Sequence, residues 1–270
     1  MTSTSVWIAF ALTLVAGLST GIGSLMALLA KRTSTRFLCT SLGFSAGVML
    51  YVSFMEMIPQ GKKALVQSFG EKLGMLYLTL AFFGGIAFIM LIDFFIPKTA
   101  ANPHEVYRVE EMKSNHHALK RVGLLVALSL AIHNFPEGMA SFIAGLGGLD
   151  IALPITLAIA IHNIPEGIAV SVPIYHATGS RRKAFWWSFL SGLAEPLGAI
   201  TAYLFLLPHW SPALNGIILT AVSGIMVFIS LDELLPIAEK YGEHHLSVAG
   251  LISGMVMMAF SLYLFIPGGE

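Results

Sequence analysis

Eight stretches of about twenty apolar residues follow one another along this chain, at residues 6–30, 38–59, 75–97, 122–145, 151–174, 185–208, 213–237 and 246–267. About 20 such residues suffice for a helix to cross the hydrocarbon layer of a bilayer. Inside that layer every backbone N–H and C=O must be satisfied within the protein, which favours helices. The pattern predicts an all-α polytopic membrane protein with eight transmembrane helices. Only 11% of the 270 residues are charged, well below the roughly 25% of soluble domains, and the mean hydropathy is +0.79. The first apolar run has neither a positive leading segment nor a convincing cleavage site, so it reads as a retained first helix. A net charge of zero argues against a nucleic-acid partner. The single cysteine, Cys39, can form no intrachain disulfide.

Every Lys and Arg falls in a connection between spans. The loops after helices 1, 3, 5 and 7 hold twelve of the fifteen, and the opposite side holds only Lys62, Lys63 and Lys72. By the positive-inside rule the twelve face the cytoplasm, which places both termini outside. The longest connection, about 98–121, is then cytoplasmic and carries His104, His116 and His117. It reads as a solvated linker, with metal capture as the alternative.

One polar string occurs twice inside these apolar runs: His133-Asn134-Phe135-Pro136-Glu137-Gly138 and His162-Asn163-Ile164-Pro165-Glu166-Gly167. Positions four apart share a helix face, so His133 sits beside Glu137 and His162 beside Glu166. Each copy offers an imidazole, a carboxylate and an amide oxygen, all of which divalent metals accept. Pro136 and Pro165 cannot donate to the carbonyls of Ile132 and Ile161, and each is expected to kink its helix. A lone intramembrane histidine is commonly a satisfied packing residue. Two copies of one string argue for function, as ionisable residues inside a membrane generally do.

A second repeat links Gly47-Val48-Met49-Leu50-Tyr51-Val52-Ser53-Phe54-Met55-Glu56-Met57-Ile58-Pro59 in helix 2 with Gly224-Ile225-Met226-Val227-Phe228-Ile229-Ser230-Leu231-Asp232-Glu233-Leu234-Leu235-Pro236 in helix 7. Gly, Met, Ser, Glu and Pro coincide without a gap, on helices that run in opposite senses. This is the pattern of an inverted repeat, helices 1–3 and 6–8 around a central pair, typical of secondary transporters with a midplane site.

Glu195 lies inside helix 6, in Ser191-Gly192-Leu193-Ala194-Glu195-Pro196, where small residues permit close helix approach. It is the natural third carboxylate beside Glu137 and Glu166. Three such charges would repel one another in low dielectric, and two divalent ions bridged by the helix 4 and 5 glutamates would offset that repulsion. Glu56, Asp93, Asp232 and Glu233 read as entrance or interface charges. Among the thirteen methionines, Met49 is the one candidate thioether ligand.

With both HNxPEG strings, the Ala194-Glu195-Pro196 of helix 6 and the eight-helix plan in hand, the sequence resembles the Zrt/Irt-like (ZIP) metal transporters over nearly its whole length. The resemblance implies a single ZIP-type transmembrane domain over residues 1–270, in a 3+2+3 helix arrangement. It implies uptake of divalent metal into the cytoplasm across the cell inner (plasma) membrane, often as a homodimer. It also implies a binuclear site. One metal would be held by His133, Glu137, His162 and Glu166 with Met49 nearby, the other by Asn134, Glu137, Asn163, Glu166 and Glu195. Glu166 stands where the eukaryotic branch places a second histidine, which hardens the site, so Fe²⁺ and Mn²⁺ are expected beside Zn²⁺, with Co²⁺ and Cd²⁺ as further candidates. These ions are cargo; no resident cofactor is expected, and the remaining partner is membrane lipid. The competing readings are an intramembrane metalloenzyme, although neither copy has the His-Glu-x-x-His pattern of a zincin, and a metal exporter or channel on the same helices.

Overall fold

A computed structural model describes residues 3–29, 35–95, 116–240 and 244–264, with some side chains inside these segments left undescribed. The described residues are helical apart from tight turns. Helix α1 spans Ser3–Leu29 and α2 Thr35–Val52; a π-helical turn, Ser53–Met57, joins α2 to α3 at Ile58–Phe95. Helices α4 (His116–Leu146) and α5 (Leu149–Thr178) carry the two HNxPEG strings. After them come α6 (Arg181–Gly192), α7 (Ala194–Thr201), a second π turn at Ala202–Leu206 with a 3-10 turn at Leu207–His209, α8 (Pro212–Ile229), a third π turn at Ser230–Leu234, α9 (Leu235–Lys240) and α10 (His244–Leu264). Six of the described segments are long and apolar enough to cross a membrane by length and composition. The chain is a multi-pass helical membrane protein. The connection at 98–115, with His104, and the side chains of His116 and His117 lie outside the described residues.

The boundaries differ from the sequence expectation in two places. The segment between the predicted second and third spans is helix rather than loop, because Gln60 to Gln67 are mostly good helix formers. The break falls at Gly70, whose φ of 78° and ψ of 167° only glycine adopts readily. The chain doubles back there: a Cβ on Gly74 would lie 2.7 Å from Val66 Cα. The predicted sixth span is divided at Leu193, since Pro196 cannot donate to the carbonyl of Gly192. By contrast, α4 and α5 continue through Pro136 and Pro165.

Each of the three π turns among the described residues has a proline behind it. Pro59, Pro208 and Pro236 withhold the donor that would close a normal turn, and in each case the residue just before the proline bonds back five positions, Ile58 N–H to Ser53 O, Leu207 N–H to Ala202 O and Leu235 N–H to Ser230 O.

Packing follows the membrane pattern, with small and hydroxyl-bearing residues inside and large apolar ones outside. Trp7, Phe83, Phe94, Phe205, Val256 and Tyr263 are exposed on the outside of the bundle, while the principal core gathers Leu42, Met49, Val52, Ala158, Ile168 and Met226 from α2, α5 and α8. Glycines set the closest crossings, as expected where lipid gives no hydrophobic drive for association. A Cβ on Gly43 would meet Ser247 O at 2.2 Å, and one on Gly47 would meet Leu251 O at 2.0 Å, so α2 and α10 run parallel. α3 packs along α8, α1 along α5, and α4 against both α5 and α7.

Candidate metal site

Helices α4 and α5 are joined through Gly147 and Gly148 alone, and the φ of 120° at Gly148 allows the chain to reverse in that space. The short turn holds the two HNxPEG strings side by side. Gly138 ends the first string and allows α4 to press on α7: a Cβ there would sit 2.1 Å from Glu195 O. Gly167 ends the second and allows α5 to press on α1, where a Cβ would meet Thr20 O at 1.9 Å. The motif glycines thus bring the flanking helices against the carboxylates that precede them.

Asn134, Glu137, His162, Asn163, Glu166 and Glu195 are all buried, none more than 1% exposed. His162 Nε2 lies 3.0 Å from Glu137 Oε1, a close polar contact across α4 and α5 without the alignment of a hydrogen bond. Asn163 Nδ2 donates to Glu195 Oε1 and to Ala16 O at 3.0 Å. Asn134 Nδ2 donates to Ser191 O at 3.4 Å. Ser45 Oγ on α2 donates to His162 O at 3.3 Å. Both amide NH₂ groups are thereby turned toward flanking backbone, which orients each amide oxygen the other way.

Beside the Glu137–His162 contact, four acceptor oxygens of this site have no hydrogen-bond partner among the described residues: Asn134 Oδ1, Glu137 Oε2, Asn163 Oδ1 and Glu195 Oε2. A buried polar atom left in this condition is costly, and oxygen acceptors gathered around carboxylates are what a cation satisfies. Glu195 stands in the first turn of α7, where the helix dipole favours its charge.

Met49 is fully buried in the principal core, in a cluster that includes Ala140 of α4 and Ala158 and Ile168 of α5. The His133 side chain lies outside the described residues. Among the described residues no group of three or more His, Cys, Asp or Glu side chains is arranged to hold a metal ion; the donors brought together include the two asparagines and the His162–Glu137 pair. Glu56 accepts from Gln60 Nε2 and is half-buried, and Asp232 is exposed. The Asp93 side chain is outside the described set.

Sequence spacing pairs each histidine with the glutamate of its own string, whereas the described contact runs between strings. Neither the Asn163–Glu195 bond nor the Ser45 contact is visible from spacing. Only the placement of Glu195 beside small residues hints at the first.

An all-helical membrane bundle with buried carboxylate, amide and imidazole groups on its central helices is the architecture of an ion carrier. The family model of the ZIP zinc transporters matches residues 3–121 and 102–262. A zinc transporter ZupT of Streptococcus mutans is 58% identical over 96% of this chain and 97% of its own length. A zinc transporter ZupT of Clostridium perfringens is 55% identical over 97% of each chain, and that of Lysinibacillus sphaericus is 54% identical over 97% of this chain and 99% of its own. The chain belongs to the ZIP family of transporters. Membership sets aside the metalloenzyme alternative.

Proposed function

We propose that this protein carries zinc into the cytoplasm across the inner membrane, through a midplane site on α4, α5 and α7. The observation that carries this reading is the set of four partnerless buried oxygens around Glu137 and Glu195. The relatives named zinc transporter ZupT support zinc as cargo. The site is binuclear, with His133, His162, Glu137 and Glu166 holding one ion and Asn134, Asn163 and Glu195 completing the other beside bridging glutamates. Mixed imidazole and oxygen ligation binds more weakly than a thiolate cage, which suits release and admits Fe²⁺ and Mn²⁺. Met49 stands behind the site, and the protein works as a homodimer with both termini outside.

The architecture is eight spans in a 3+2+3 order with an inverted repeat. Several correspondences support it. The π turns Ser53–Met57 and Ser230–Leu234 fall at matching positions of the helix 2 and helix 7 sequences. Ala16, Gly17, Thr20 and Gly23 of α1 match Ser191, Gly192, Glu195 and Gly198 in spacing and in contacts. Asn163 donates to Ala16 O as Asn134 donates to Ser191 O. Gly17 and Gly192 meet each other, each with the other's carbonyl within 2.6 Å of where its Cβ would lie. Transport follows when the unit holding α4, α5 and α7 moves against α2 and α8.

The test is uptake of radiolabelled zinc and iron into proteoliposomes, comparing the unaltered protein with Glu137→Ala and Glu166→Ala. Saturable flux lost in both variants is the expected result. Flux unchanged in either one would remove that residue from the site.

A further inference from the structure

Thr20 on α1 is fully buried, and its Oγ1 has no hydrogen-bond partner among the described residues. A helical threonine ordinarily bonds the carbonyl four residues back, as Thr13, Thr79, Thr178, Thr201 and Thr220 do here. For Thr20 that carbonyl is Ala16 O, which already accepts from Ser19 Oγ and Asn163 Nδ2. The hydroxyl is therefore left over, at the crossing of α1 with α6: a Cβ on Gly192 would lie 2.8 Å from both Thr20 Cβ and Oγ1. On the other side of the same crossing, a Cβ on Gly17 would lie 3.4 Å from Glu195 Cβ. Thr20 thus occupies, relative to Gly192, the place that Glu195 occupies relative to Gly17.

Glu195 meets Asn163 on α5. The equivalent neighbour for Thr20 is Asn134 on α4, whose Oδ1 is also without a partner. We infer that Thr20 Oγ1 is a further contact for the hydrated zinc ion, on the α4 side of the site, and that it is the neutral counterpart of Glu195. This rests on the inverted repeat and the cation site proposed above. A hydroxyl here adds an oxygen contact without a fourth carboxylate, so it limits how tightly the ion is held.

The experiment is saturable uptake of radiolabelled zinc by the full chain in proteoliposomes, with zinc binding to the purified protein measured by calorimetry. Thr20→Val keeps the shape and removes the hydroxyl; apparent KM is expected to rise about fivefold, the worth of one hydrogen bond, with kcat little changed. Thr20→Ser restores most of the lost affinity. Thr20→Asp lowers both KM and kcat, because the ion is held more tightly and released more slowly. A Thr20→Val protein with unaltered KM and zinc affinity overturns the inference, and so does a loss that Thr20→Ser fails to rescue. Glu195→Gln is assayed in parallel: if it transports normally, the site itself is misassigned, whereas its failure beside a normal Thr20→Val refutes only the role of Thr20.

Discussion

Glu137 of α4 and His162 of α5 face each other across the helix pair, with Oε1 and Nε2 3.0 Å apart and both side chains buried. The contact joins the two copies of the motif into one unit, and it leaves Glu137 Oε2 turned elsewhere without a hydrogen-bond partner. Removing one member of a buried polar contact leaves the other unsatisfied, at a cost of roughly 1–3 kcal/mol. His162→Ala is therefore expected to lower the melting temperature of the purified protein even in the presence of a chelator, when no zinc is bound. Thermal melts followed by tryptophan fluorescence, with and without chelator, check this.

Zinc itself is expected to stabilise the folded protein. An ion bound to the native state alone adds about 2.7 kcal/mol at a hundred times its dissociation constant, read as a rise in melting temperature that a chelator reverses. In Asn134→Ala, Asn163→Ala and Glu195→Ala the rise should shrink or vanish. An undiminished rise in all three would place the ion elsewhere.

The glycines of the structure divide into two kinds that mutation should separate. A Cβ at Gly138 would meet Glu195 O at 2.1 Å, backbone that cannot swing aside, so Gly138→Ala is expected to force α4 off α7. Overpacking of this sort costs roughly 1–3 kcal/mol in a well-packed interior, and zinc uptake should fall with it. Gly70 has nothing within 4 Å of its Cβ position, and only its φ of 78° resists substitution. Gly70→Ala is expected to cost roughly 1–3 kcal/mol and to leave zinc affinity alone. Uptake assays beside thermal melts distinguish the two.

Metal selectivity offers a fourth measurement. Restoring a second imidazole with Glu166→His softens the donor set and should shift uptake toward zinc at the expense of iron and manganese. Competition of each unlabelled metal against radiolabelled zinc reads the change; an unaltered competition order would show that Glu166 does not set it.

Much of the fold and the site is legible in the sequence, for physical reasons that differ from residue to residue. Polar side chains cannot lie idle in an apolar helix, so the doubled string and Glu195 mark a buried polar centre by their positions alone, and Asn134, Glu137, His162, Asn163, Glu166 and Glu195 are all buried. Proline is equally plain: Pro196 foretells a disturbance beside Glu195, and Pro59, Pro208 and Pro236 stand behind the three π turns. What the sequence hides are relations between helices. The i, i+4 rule describes one helix, so it pairs His162 with Glu166 and is silent on Glu137. Nor can periodicity show that residues 60–69 continue as helix, since a connection with Lys62 and Lys63 resembles a loop until Gly70 supplies the break. Thr20 is invisible for a simpler reason: a threonine among glycines and serines is ordinary until its carbonyl partner is seen to be taken.

The two-residue reversal at Gly147 and Gly148 also governs how cargo is handled. With so short a tether, neither motif can slide along the membrane normal by itself; a shift of α4 drags α5, and the Glu137–His162 contact travels with them. At the proposed site, an ion between the strings would travel as a passenger in a single carriage rather than as a baton handed from one helix to the next.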